Sequence, residues 1–370
     1  MAGNSHTLTF PGSSMSGQDI SRELAARVSE ACQSGTAIAI RGSGSKDFYG
    51  RSVSVGETLA IDGHSGIVNY EPTELVLTAR AGTPLAELDE ALAGEGQQMP
   101  FDPPRFGGGG TLGGAIATGL SGPGRPWTGS ARDMVLGLRL INGRGEHMRF
   151  GGEVMKNVAG YDVSRLMAGA LGTLGVLTEV SLKVLPRPEA ELGLRLEIPA
   201  LDGFSQVDAW FRQGQPITGA AHDGRHLHLR LSGARSTLQA AGQTIGGEHV
   251  PEVGAWWAAL RDQELPFFDG TAGPLWRISV PPLTDGSGFE GPLLQDWNGQ
   301  QLWLHGARDA AAVRQRASSL GGHAVCFRGG DREGEVFHPL AAPLQAFHHR
   351  LKQAFDPGGI LNPGRLFADL

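Results

Sequence analysis

Gly107-Gly108-Gly109-Gly110-Thr111-Leu112-Gly113-Gly114 opens the stretch whose reading decides the fold, and Leu177-Thr178-Glu179-Val180-Ser181-Leu182-Lys183-Val184-Leu185 closes it. Between them glycine punctuates residues 119–133, 157–162 and 169–175. Residues without a Cβ at this density let backbone approach something large. Gly108, Gly110 and Gly113 satisfy the dinucleotide pattern G-x-G-x-x-G, with Asp133 where a ribose-binding acid is expected. Context argues against that reading. A Rossmann turn leaves a hydrophobic strand, whereas this one leaves Met99-Pro100-Phe101-Asp102-Pro103-Pro104-Arg105-Phe106, whose prolines exclude a central parallel strand.

Residues 111–118 read instead as a glycine-rich turn feeding a short helical piece, with small Ala115 and Ala117 admitting a close neighbour. Residues 122–129 form a loop carrying Arg125 and Trp127, either functional or surface packing. A strand over 134–141, an Asn142-Gly143 hairpin turn and a partner strand over 146–150 follow. Gly172-Thr173-Leu174-Gly175 then enters a long strand. Such an entry can lay main-chain groups against a flat heterocycle, with Val176 and Leu177 packing on it; the alternative is a tight helix-to-strand turn.

Upstream, Ile20, Leu24, Val28 and Ala31 recur at helical spacing before the strand-like Ala37-Ile38-Ala39-Ile40. That strand ends in Arg41-Gly42-Ser43-Gly44-Ser45-Lys46. Consecutive small residues there can point successive N–H groups into one concavity, a nest suited to a pyrophosphate, with Arg41 and Lys46 to offset its charge; an ordinary glycine loop is the alternative. Residues 58–62, 66–69 and 75–79 are β-like. Thr83 as N-cap and Pro84 at the first helical position open a helix that buries Leu85, Leu88, Ala91 and Leu92.

Glycine makes up 57 of 370 residues, about twice the usual share of roughly 7%, without collagen's period. A net charge of −7 supplies no global field for nucleic acid. No run reaches the 18 or so apolar residues of a membrane-spanning helix, and residues 1–10 lack the apolar core of a secretory signal. Cys32 and Cys326 are too few and too scattered for an iron–sulfur or zinc site. A cytoplasmic setting is expected.

Pro186-Arg187-Pro188 reads as a domain boundary. Beyond it, strand candidates at 192–198, 227–231, 275–280 and 302–305 mix with helical patterns at 203–213, 234–242 and 309–320, an α+β composition. Trp256, Trp257 and Trp276 read as core or interface anchors. Residues 343–355 read as a final helix with Leu344, Phe347, Leu351 and Phe355 on one face, delivering Asn362-Pro363-Gly364-Arg365 back to the first domain. His222 precedes Arg225-His226-Leu227-His228-Leu229-Arg230. Alternation puts His226 and His228 on one strand face, read as a solvated face in preference to a metal pair.

Four pieces in this order, residues 41–46, 81–88, 110–118 and 172–179, resemble the flavoproteins whose FAD-binding fold is shared by vanillyl-alcohol oxidase and p-cresol methylhydroxylase. Gly129-Ser130-Ala131-Arg132-Asp133-Met134-Val135-Leu136-Gly137, Lys156-Asn157-Val158-Ala159-Gly160-Tyr161-Asp162 and the tail 355–366 narrow the resemblance to the FAD-binding subunits of bacterial glycolate-oxidising complexes. The resemblance implies an α+β, two-subdomain FAD-binding fold with an inserted α+β cap: FAD-binding domain 1–188, cap 189–334, returning segment 335–370. It implies cofactor contacts from Arg41, Gly42, Ser43, Gly44, Ser45, Lys46, Gly110, Thr111, Gly113, Gly114, Ala117, Thr118, Arg125, Gly129, Asp133, Gly175, Val176 and Leu177. Asn362 and Arg365 would close over the isoalloxazine, Arg365 favouring its anionic reduced form.

Two departures shape the expectation. Relatives that attach FAD covalently often carry a His where Ser45 stands, so FAD is expected to be non-covalent. Related 2-hydroxy acid dehydrogenases carry His-x-Gly-Asp-Gly-Asn-x-His in the cap, where paired His hold a metal; this chain lacks it, so no metal is expected. The implied partners are a substrate-oxidising flavoprotein subunit, an iron–sulfur subunit and a small 2-hydroxy acid, with any membrane association peripheral and through the complex. An autonomous 2-hydroxy acid dehydrogenase and a structural subunit without redox duty are the alternatives.

Overall fold

A computed structural model describes residues 17–107, 109–152, 162–269 and 273–370. Gly108 and residues 156–161 of the quoted motifs lie outside these. The helix Ser21–Ser34 buries Leu24, Val28 and Ala31 and stops at Gly35, whose φ of 67° suits a residue without Cβ. The strands Ile38–Arg41 and Glu57–Ala60 pair in parallel. Residues 360–362 run beside the first of them, Ile38 N–H donating to Ile360 O and Asn362 N–H to Ile38 O. The chain's end is thereby built into its beginning.

A five-stranded antiparallel sheet follows, in the order Ile67–Glu71, Val76–Arg80, Val176–Lys183, Val135–Ile141, His147–Gly151. Val176–Lys183 is central and buried along most of its length. The helix Leu85–Gly94 begins one residue later than expected, with Pro84 at the cap. Thr83 is displaced from capping because its buried hydroxyl accepts the Gly66 N–H at 2.9 Å. Thr111 does cap the helix Leu112–Thr118, its hydroxyl accepting from Gly114 N–H. At Gly113 a Cβ would lie 2.8 Å from Ala81 Cβ, so glycine is what lets this helix rest on the sheet. The hairpin at Asn142-Gly143 is longer than the two-residue turn expected. Ile141 pairs with His147, and Asn142 Oδ1 gathers the N–H groups of Arg144 and Glu146 instead.

Residues 190–328 build an eight-stranded, wholly antiparallel sheet, in the order Glu248–Val250, Ala190–Glu197, His226–Gly233, Ile217–His222, Leu293–Asp296, Gln301–His305, Leu275–Ser279, His323–Arg328. The helices Ala200–Arg212 and Arg235–Ile245 bury Phe204, Val207, Leu238 and Ala241 with Leu227, Leu229 and Leu231. The helix Val253–Asp262, which apolar periodicity did not suggest, covers the opposite face through Trp256 and Trp257. Trp276 is core, as expected.

The closing helix Ala342–Phe355 corrects one expectation. Leu344 and Phe347 are more than half exposed, at 54% and 57%. The buried member is Lys352, whose Nζ donates to Thr173 O and Leu361 O at 2.8 Å each and pairs with Asp356 at 2.7 Å. Leu351 and Phe355 do pack against the core as expected, and the polar clasp completes the seat of this helix. Among the described residues no helix is long and apolar enough to cross a membrane.

Candidate functional site: a glycine-walled cleft

Most of the glycine segments singled out by sequence converge on one cleft of about 380 Å³. Its walls are residues 39–47, Thr111, Gly113, Gly114, Ala117 and Thr118 from the capped helix, Leu171, Gly172, Gly175 and Leu177 from the entry to the central strand, and Asn362 and Arg365 from the returning tail.

The loop after Ile38–Arg41 forms one end. A Cβ on Gly42 would sit 2.6 Å from Thr111 Oγ1, so this residue must be glycine for loop and helix to touch. Among the described residues no acceptor takes the backbone N–H groups of Gly42 to Lys46. Arg41 lines the cleft but is paired with Asp47 at 2.6 Å. Lys46 is different: it is 7% exposed and its ammonium has Ser45 Oγ at 3.3 Å as its hydrogen-bond partner. Burial pushes its pKa from 10.5 down to about 8, with Arg105 adding to this and Asp262 opposing it. A buried cation with no carboxylate at contact distance among the described residues, beside N–H donors that none of these residues takes up, fits a diphosphate.

The other end is flat and small-walled. Alternation along the central strand turns Gly175 and Leu177 to the cleft and Val176 into the sheet core. Asn362, at φ 42°, spends its amide on backbone: Oδ1 accepts Ile40 N–H at 2.8 Å and Nδ2 donates to Leu171 O at 2.7 Å. Arg365 donates to the carbonyls of Arg51, Asp47 and Tyr49. Both residues stand in the wall and hold it together, their polar groups turned to backbone.

Gly110 borders Lys46 without lining the cleft. Arg125, Gly129 and Asp133 also lie outside its lining. Arg125 stacks on Trp297 at 4.5 Å, Asp133 closes a capping box with Ser130, and Gly129 supplies a positive φ before it. Sequence reasoning overlooked Tyr49, which lines the cleft and accepts a hydrogen bond from Arg277 of the larger sheet at 3.1 Å. No motif marks it; its partner is 228 residues away.

The histidines also depart from expectation. His222 is buried and separate, accepting Gly224 N–H at Nδ1 and donating from Nε2 to Ile198 O. His226 and His228 do share a face, but it is no solvated one: His228 is buried beneath Trp256, and both rings meet Asp223.

Comparison with known proteins agrees with the cleft. The model of a family described as FAD binding domain matches residues 21–151. Glycolate oxidase subunit GlcE of Escherichia coli (strain K12) is 49% identical over 95% of this chain and 99% of its own length. D-2-hydroxyglutarate dehydrogenase of Xanthomonas citri pv. viticola is 33% identical over 39% of this chain and 30% of its own. The solved structure of alkyldihydroxyacetonephosphate synthase superposes with a TM-score of 0.66 at 16% identity, covering 92% of this chain and 74% of that one. The fold is therefore the two-subdomain FAD-binding fold of the vanillyl-alcohol oxidase and p-cresol methylhydroxylase type, and FAD is the cofactor. Within it, the chain belongs to the family of the glycolate oxidase subunit GlcE.

Proposed function

We propose that this chain is the FAD-binding subunit of a glycolate-oxidising complex, working beside a substrate-oxidising flavoprotein subunit and an iron–sulfur subunit. The reading rests on the cleft above, whose buried Lys46 and free loop N–H groups suit a diphosphate, in a chain 49% identical to a glycolate oxidase subunit. FAD, when bound, would supply a redox centre able to take up two electrons and return them singly. The protein's part is to hold and shape. Residues 42–46 would take the diphosphate, and Ser45 offers no ring nitrogen for covalent attachment, so binding is non-covalent. Gly172, Gly175 and Leu177 leave room for a flat ring, and the backbone hydrogen bonds of Asn362 and Arg365 fix the facing wall. Arg277 of the larger sheet donates to Tyr49 and so ties that sheet to a residue of the cleft wall. Because the chain lacks the His-x-Gly-Asp-Gly-Asn-x-His motif, we assign it electron relay within the complex.

Anaerobic glycolate titration tests this. The expected result is a flavin spectrum in the isolated chain that glycolate leaves unbleached, and bleaching of the same flavin in the assembled complex. Bleaching in the isolated chain would instead mark an autonomous dehydrogenase, and no flavin at all would mark a structural subunit.

A further inference from the structure

The strand His226–Gly233 begins with a His-x-His pair, and the residue three before it is an aspartate. We propose that Asp223, His226 and His228 form a divalent metal site of the zinc type, with three protein ligands and a fourth position open to water.

The geometry is specific. A spacing of two along a strand sends both imidazoles to one face. Asp223 Oδ1 accepts the N–H groups of Arg225 and His226, at 2.9 and 2.7 Å, closing an Asx turn that fixes the carboxylate. Its other oxygen is left facing the rings, 2.8 Å from His228 Nε2 and 3.5 Å from His226 Nδ1. The three ligand atoms lie within 4.8 Å of one another. Bonds of about 2.0–2.1 Å in a tetrahedron set ligand atoms about 3.3 Å apart, a value the observed triangle brackets. His228 is oriented by Trp256, stacked on it at 4.0 Å between centroids and 11° between planes. The His228 ring is thus held by a neighbour that is not a ligand, and the carboxylate by the backbone N–H groups of the turn itself.

Charge agrees. Burial disfavours ionisation of Asp223, but the hydrogen bonds from His226, His228 and Arg225 outweigh it and hold the carboxyl below its ordinary range. Burial pushes the His228 ring down, with Asp223 pulling it back. The nearby cations are engaged elsewhere, Arg195 with Glu248 at 2.6 Å and Arg225 with Glu197 at 3.3 Å.

The site is distinct from the flavin chemistry. None of the three residues lines the cleft. It is also not the paired-His arrangement of the related dehydrogenases, which needs a second His seven residues before the last; Ala221 stands there. Its effect would be to clip the turn at residues 223–226 to its strand and, through Trp256, to the helix Val253–Asp262.

The test uses the untagged, full-length flavoprotein stripped with a chelator and titrated with ZnCl₂ alone against a chromophoric competitor. One equivalent is expected to bind, with a change in tryptophan fluorescence from Trp256. Co²⁺ in its place should show the visible d–d absorption of a tetrahedral nitrogen–oxygen site. His226→Ala, and Asp223→Asn, which keeps the Oδ1 acceptor, should each weaken binding at least about tenfold while FAD content stays unchanged. Absence of binding, or a binding that both variants leave unaltered because it occurs at other surface groups, overturns the proposal.

Discussion

Replacing Lys46 by methionine is expected to weaken FAD binding by about 10- to 100-fold while making the flavin-free protein more stable. The first effect follows from removing a charge-assisted hydrogen bond worth about 1.5–3 kcal/mol, at about 1.4 kcal/mol per tenfold. The second follows from the cleft itself. In the flavin-free chain the ammonium is buried with Ser45 Oγ as its partner, and burial brings its pKa from 10.5 to about 8. At about 1.4 kcal/mol per pH unit, the charged form costs the native state on the order of 3 kcal/mol below pH 8. Between pH 8 and 10.5 the unfolded chain holds a proton there that the native chain has released, so stability rises with pH across that window. Urea unfolding of flavin-free protein at pH 7.5 and 10, with fluorescence titration by FAD, checks both. A methionine variant that binds FAD normally removes Lys46 from the phosphate site; one that loses stability without FAD removes the argument that the cation is there for an anion.

Asp356→Ala should destabilise the protein by about 3–5 kcal/mol, the expected cost of leaving one member of a buried ion pair unpaired. Asp356 is 1% exposed, pairs with Lys352 at 2.7 Å and accepts the N–H groups of Ile360 and Leu361. Its removal strands the ammonium and frees the segment that runs beside Ile38–Arg41. Because the next residue, Asn362, holds Ile40 and Leu171 in the cleft wall, FAD retention should fall with it. Asp356→Asn, which preserves an acceptor for the backbone, should be destabilising alone and partly rescued by adding Lys352→Met. Chemical denaturation midpoints of the three variants measure this. A double variant no better than Asp356→Asn would mean that the uncompensated charge is not the source of the loss.

What sequence can show here follows from what each residue must satisfy locally. Gly42, Gly113 and Gly175 are legible because a missing side chain is a local demand, and three such demands in order lead to one cleft. The G-x-G-x-x-G pattern misleads when taken without its prolines. Lys352 is invisible to a search for apolar periodicity, since its own partners are two carbonyls and Asp356. Asn362 and Arg365 read as cofactor contacts, yet their groups are spent on backbone, a role that only long-range contacts reveal. Asp223 stands in plain sight, in an Asp-Gly turn ahead of His-x-His, and turns a face expected to be solvated into a cluster.

The most direct test of the account is the flavin content of the purified chain after acid precipitation. One FAD per chain, recovered wholly in the supernatant, is the predicted result: a cleft that holds the cofactor through residues 42–46 without a covalent bond. A chain that carries no flavin and takes up none from solution, or one whose flavin stays with the pellet, contradicts it.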